Sequence, residues 1–170
     1  AMNLFSFVRN PFTDRAYFDY DKFRESVRIG QRIMDDIVQL DIEKIDEIID
    51  KVKADEEPEH VKHHELKLWQ NIREHARESR RTGLGLTALG DTLAGLGVRY
   101  GSAESREITD EILRTQKVEA YRESVNLAKE RGAFDIYDHS RERGNEFIER
   151  LREDDPELVE EMEEHGRRNI

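Results

Sequence analysis

Cysteine is absent from the 170 residues. That removes disulfide bonds, thiolate nucleophiles and cysteine-based metal sites from anything this chain does by itself. Proline occurs only three times and tryptophan once, so the chain has few obligatory breaks. No apolar run approaches the ~18 residues of a membrane span, and the N-terminus lacks the charged-then-apolar order of a signal peptide. A clustered basic patch is missing too: the formal net charge is -11 and the Lys and Arg residues are interleaved with Glu and Asp. These absences predict a soluble, cytoplasmic chain with no membrane contact and no direct nucleic-acid binding. Present in quantity is charge. Charged residues make up 39% of the chain and hydrophobic residues 36%, the balance of thin amphipathic helices with wide wet faces. The length suits one domain over residues 1–170.

Helical periodicity dominates. The opening 3-NLFSFVRNPFT-13 is apolar, aromatic and broken by Pro11, and reads as an extended segment with a short strand at 4–8 that needs a partner surface. Ala1-Met2 reads as an extra residue before a start methionine. From Asp19 or Asp21, residues Phe23, Val27, Gly30, Met34, Ile37, Val38, Ile42, Ile45, Ile48, Ile49 and Val52 fall at helical spacing. They predict one long helix, or two with a joint near Leu40-Asp41. A polar break at Pro58 separates it from a second amphipathic helix marked by Val61, Leu66, Trp69, Ile72 and Ala76, giving a helical hairpin over about 21–79. Ser102 offers an N-cap for a long helix over about 103–131, and Gly132 offers its stop. After a loop at 133–140, two C-terminal helices are expected within about 144–165, the second opened by Asp155-Pro156 and ended by Gly166.

Six of the ten glycines lie between positions 83 and 101. Gly83, Gly85 and Ala88 match a G-x-G-x-x-[GA] dinucleotide fingerprint, but 73-REHARESRR-81 is no hydrophobic strand to feed such a turn. The alternative is a short strand at 82–86 leading into a helix over 87–97, with glycine permitting close backbone packing. His60, His63 and His64 share a helix face and raise a metal reading. In a polar linker they read first as a solvated helix start. The Asp35-Asp36 pair and the acidic run from Glu157 to Glu164 lack the alternating ligands of a calcium loop and read as solvated faces. Trp69 lies on one stripe with Leu66 and Ile72, where core packing is the expectation.

Read whole, the glycine stretch resembles the large subunit of ribonucleotide reductases, and among them the adenosylcobalamin-dependent class II family. The pattern R-x-G-L-G-x-x-G-L-x-D-x-L-x-x-L-G-x-x-Y-x-S is matched by Arg81, Gly83, Leu84, Gly85, Leu89, Asp91, Leu93, Leu96, Gly97, Tyr100 and Ser102, with Ala88 at its third glycine and Gly90 two residues further on. The opening segment with Tyr17 to Tyr20, 31-QRIMDDIVQLDIEKID-46, 68-LWQNIREHARESRRTGLG-85, 132-GAFDIYDHS-140 and 165-HGRRNI-170 resemble further parts of that family in the same order. The resemblance implies a mainly α segment of a ten-stranded α/β barrel, with one or two short strands near 4–8 and 82–86. It implies adenosylcobalamin and a ribonucleotide substrate for the parent enzyme, with no cofactor expected on this segment alone. The implied partner is the remainder of the reductase chain or a split partner, and open barrel edges imply possible homo-oligomers or a partly disordered N-terminus. The family's catalytic cysteines, its Cys-Asn-Leu motif and its Pro-Thr-Gly phosphate loop have no counterpart in these residues. The resemblance therefore implies no catalytic residue here and a structural role for Arg81, Gly83, Gly85, Gly90, Asp91, Gly97, Tyr100 and Ser102; the alternative is a stand-alone helical protein-interaction domain derived from that fold. Asp91 is expected to cap or hydrogen-bond the strand–helix turn, or else to approach a ligand.

Overall fold

A computed structural model describes residues 1–169. Six α-helices and four two-residue strands occur among them, in the order β1 (Met2–Asn3), β2 (Val8–Arg9), β3 (Tyr17–Phe18), α1 (Tyr20–Ala54), α2 (Glu59–Ser79), β4 (Leu86–Thr87), α3 (Leu89–Gly95), α4 (Ala103–Arg131), α5 (Glu146–Asp154) and α6 (Pro156–His165).

Capping chemistry sets most of the boundaries. Asp19 accepts a hydrogen bond from the Lys22 N–H and opens α1, which runs without a joint through Leu40-Asp41 to Ala54. Ser102 accepts from the Ser105 N–H at 3.1 Å and opens α4. Gly132 ends that helix at a φ of 86°, a conformation costly for any residue with a Cβ. Asp155 closes α5 and opens α6, its carboxylate accepting from the Leu158 N–H at 3.0 Å.

The segment 4–8 corrects the expectation of a strand. Leu4–Phe7 form a 3-10 turn between β1 and β2, because tucking Leu4 and Phe7 inward buries both. The strand expected at 82–86 is likewise confined to Leu86–Thr87, and the helix behind it covers Leu89–Gly95 rather than 87–97. β1 pairs with β4 in parallel, Met2 opposite Leu86 and Asn3 opposite Thr87. β2 and β3 form an antiparallel pair. The opening segment is not loose: Leu4, Phe7, Val8 and Phe18 pack with Phe23, Val27 and Ile112 in one core cluster.

Helix α4 is the hub. It packs against α1 on one side and against α5 and α6 on the other. Val125 joins Ile148, Leu151, Leu158, Val159 and Met162 in a second cluster. A helix buried on several sides shows little one-sided hydrophobic pattern, which is why its buried residues include Thr115, Glu119, Glu123 and Ser124. Helix α2 is the reverse case and has no fully buried residue. Trp69 is only half-buried and Ile72 is exposed, so core packing does not describe that stripe: α2 packs along one side of α1 and meets the segment after α4 only near its end, where the Ile136 N–H donates to the Glu78 carbonyl.

Gly166 ends α6 at a φ of 73°, and a Cβ there would sit 2.7 Å from Ala133 Cβ and 3.1 Å from Tyr137 Cδ1. Gly166→Ala is therefore expected to lower unfolding free energy by about 1–3 kcal/mol. Urea titration reads this, and an unchanged midpoint would show that the turn relaxes at no cost.

Candidate functional site

The residues of the glycine stretch take up different positions. Arg81 is exposed, one residue after Arg80, which ends α2 in a left-handed conformation at a φ of 42°. Gly83 and Gly90 face open space, and Gly85 meets only Ala1 at 3.8 Å from a notional Cβ. Close approach instead occurs at Gly95, where a Cβ would stand 2.8 Å from the Phe5 ring. Gly97 and Gly101 supply positive φ in the turn to α4. Close strand–helix packing therefore does not explain Gly83 and Gly90 within these residues. Asp91 is exposed in the first turn of α3, and no side chain caps that helix at Ala88. Tyr100 is 73% exposed. Ser102 caps α4.

The most heavily organised polar cluster lies just before that stretch and centres on a residue read as solvated. Asp35 is fully buried. Arg80 donates to its Oδ1 from Nε at 3.0 Å and from Nη2 at 2.7 Å. Asn169 Nδ2 donates to the same oxygen at 2.9 Å, and Arg131 Nη1 donates to Oδ2 at 2.8 Å. Arg168 Nε lies 3.3 Å from Oδ1 but off the angle of a hydrogen bond, so that contact is between charges only. Asp36 is the exposed member of the pair and takes the other bond of Arg131 Nη1, at 2.7 Å. Burial by itself would raise the Asp35 pKa. The hydrogen bonds from Asn169 and Arg80, with the charge of Arg80 and a bond from Arg131, outweigh it and hold the carboxyl below its ordinary value. Arg168 is shifted down by its own burial and by the nearby charge of Arg80.

Asn169 completes the knot. Its backbone N–H donates to Ser124 Oγ at 3.0 Å, and its Oδ1 accepts from Gln31 Nε2 at 3.1 Å. The knot thus ties α1, the end of α2, α4 and the segment after α6. Two further buried carboxylates extend it along the α1–α4 seam, Glu119 paired with Arg28 at 2.5 Å and Glu123 paired with Arg32.

Sequence reasoning missed Asp35, Glu119 and Glu123, because acidic residues on charged helices read as wet. A signal did exist for Asp35: it continues the row Phe23, Val27, Gln31 at steps of four, all of which are buried.

Beside the knot opens a cleft of about 330 Å³. Gln31, Asn169 and Thr82 give it a polar floor, and Leu84, Tyr121 and Phe147 form apolar walls. Gln116 Nε2 donates to the Leu84 carbonyl, holding the strand approach against α4. His60, His63 and His64 are all exposed, with His64 Nδ1 2.6 Å from the His60 carbonyl. Among the described residues no group of three or more His, Asp or Glu side chains is placed to hold a metal ion. No helix among them is long and apolar enough to cross a membrane.

A parallel strand pair with long helices beside it, tied to one another by buried ion pairs, is an α/β arrangement. The whole chain, residues 1–170, matches the family model for the ribonucleotide reductase barrel domain. The chain belongs to the large-chain family of ribonucleotide reductases. It is 28% identical over 123 residues to the vitamin B12-dependent ribonucleoside-diphosphate reductase of Mycobacterium tuberculosis (strain ATCC 25618 / H37Rv), covering 72% of this chain and 14% of that protein. It is 25% identical over 134 residues to the protein of the same name from Thermoplasma acidophilum, covering 79% of this chain and 14% of that protein. The chain thus spans about one seventh of the length of the curated relatives it matches.

Proposed function

We propose that this chain is a structural segment of a ribonucleotide reductase that converts ribonucleoside diphosphates to deoxyribonucleotides by cobalamin-initiated radical chemistry, and that by itself it is inactive. The observation that carries the reading is the pairing of a match over residues 1–170 to the barrel domain with a sequence that holds no cysteine. A thiyl-radical reduction needs a thiol to carry the radical and a thiol pair to supply electrons. In this reading Arg81, Gly83, Gly85, Gly90, Asp91, Gly97, Tyr100 and Ser102 are scaffold. The carboxylate of Asp91 lies in the first turn of α3, the end of a helix that favours negative charge.

Partners follow from the open sheet. β4 has β1 on one side, and the cleft that Leu84 and Thr82 share with Asn169 has the amide floor and apolar walls that suit a further extended strand. The remainder of the reductase barrel is the occupant we assign to it. The cofactor would supply the initiating radical. The cleft of about 330 Å³ beside the knot is at the low end for drug-sized ligands, so we do not assign that cleft to the cofactor.

The test is to assay the chain with a ribonucleoside diphosphate, adenosylcobalamin and a dithiol, alone and within the reading frame that surrounds it in its source gene. Turnover by the continuous chain and none by residues 1–170 supports the reading. Stop codons on both sides with no complementing partner encoded nearby would sink it.

A further inference from the structure

The two helices of the α1–α2 hairpin are fastened unequally along their length. At the base, Arg80 is buried; it donates to Asp35 from Nε and Nη2, and to Gln39 Oε1 from Nη1 at 3.3 Å. Beyond the base the fastening is thin. Ile42, Ile45, Ile49 and Val52 of α1 are buried, yet neither core cluster contains any of them. The element packed along them is α2, through the stripe Val61, Leu66, Trp69 and Ala76, each only half-buried. Above the knot, Asp46 and Arg73 are hydrogen-bonded across the two helices. Their side chains are 47% and 34% exposed, and an ion pair that wet contributes little. Pro58 opens α2 with no side-chain cap, which leaves the N–H groups of the first turn to water.

We propose that residues 41–76 form an arm that opens by itself: α2 lifts from the second half of α1 while the Asp35 knot, both core clusters and the cleft stay closed. The free energy of a local opening follows the buried apolar contacts and protected hydrogen bonds that a segment shares with the rest of the chain. Helix α4 contributes Ile112 to the first cluster and Val125 to the second. The arm contributes to neither. Its lower limit is set by charge. Moving Arg80 would take a counter-charge from Asp35, which is fully buried, and just above it the Ile136 N–H donates to the Glu78 carbonyl at 3.3 Å. Opening therefore runs from the turn at 55–58 down to Ala76 and stops there. It uncovers Ile42, Ile45, Ile49 and Val52, which lie on one helix face at steps of three and four. Gln31, Thr82 and Asn169 at the cleft floor stay in place.

Native-state hydrogen exchange followed by NMR tests this on the 170-residue chain. Amides of 42–52 and 61–73 are expected to exchange as one group, about a hundredfold or more faster than those of 112–128. Their rates should also rise less steeply with urea, because the local opening exposes less surface. Leu151→Ala separates local from global opening. Leu151 is fully buried in the cluster that α5 shares with α4 and stays buried when the arm opens. The substitution is therefore expected to speed exchange in α4 about thirtyfold or more and to leave the rates of the arm unchanged. Arm amides as slow as those of α4 in the wild type overturn the proposal, as do arm rates that rise in step with α4 in the variant. So does a smooth gradient of rates along α2, the mark of fraying from Pro58. Should Leu151→Ala unfold, the urea slopes of the wild type decide: equal slopes for arm and α4 mean that the arm opens only with the whole chain, and overturn the proposal.

Discussion

Asp35→Asn is expected to cost this chain about 3–5 kcal/mol of stability, because it leaves Arg80 and Arg168 at a nearly solvent-free site without their counter-charge. Side-chain shape is almost unchanged, so the loss reports charge. The pH dependence has a defined sign. The folded-state pKa of Asp35 is depressed, so its contribution is fully present above the unfolded value of about 3.9. It is lost as pH falls below that value and through the folded pKa. Urea titrations at neutral and acid pH would read both effects. The substitution should remove much of the stability at neutral pH, and the gap between wild type and variant should narrow on acidification. A loss under about 1 kcal/mol would mean that the guanidinium groups rearrange to reach water, and the knot would then be a poor candidate for what holds the chain segments together.

Phe23→Ala is the second large effect, with an expected loss of about 3–5 kcal/mol. Phe23 is fully buried at the start of α1 and touches Phe7 and Phe18 edge-on, with ring centroids 5.1 Å and 5.4 Å away. It is the anchor on which the first eighteen residues fold back to bury Leu4, Phe7 and Val8. The variant is therefore expected to release the N-terminal segment before the helices melt, since β1 and β4 share only a two-residue pairing. Limited proteolysis followed by mass spectrometry would show early cleavage within residues 3–18 in Phe23→Ala and protection there in the wild type. Equal protection in both chains would contradict the anchoring role.

The two predictions differ in what the sequence disclosed. Phe23 opens the long apolar row of α1, and period and residue type together announce it as core. Asp35 lies on the same row four residues past Gln31, yet its chemistry points the other way, and propensity alone assigns it to solvent. What overturns that assignment is the arrival of Arg80, Arg131 and Asn169, residues 45, 96 and 134 positions away. The 3-10 turn at Leu4–Phe7 has the same cause. An apolar aromatic run satisfies strand statistics equally well, and only contact with Phe23, Val27 and Ile112 decides which backbone buries the most surface.

Helix existence, most of the caps and the breaks at Pro58, Gly132 and Gly166 were determined locally, because capping side chains, glycine and proline act on backbone groups within a few residues. The resemblance of the glycine stretch to the reductases was equally local, since it rests on residue identity in order. Depth was not local. Which acidic residues lie buried, why Gly95 rather than Gly83 abuts an aromatic ring, and which rows of α1 and α2 stay open were decided only in the tertiary structure. Burial of charge depends on partners from distant parts of the chain, and no pattern along a single helix states whether they come.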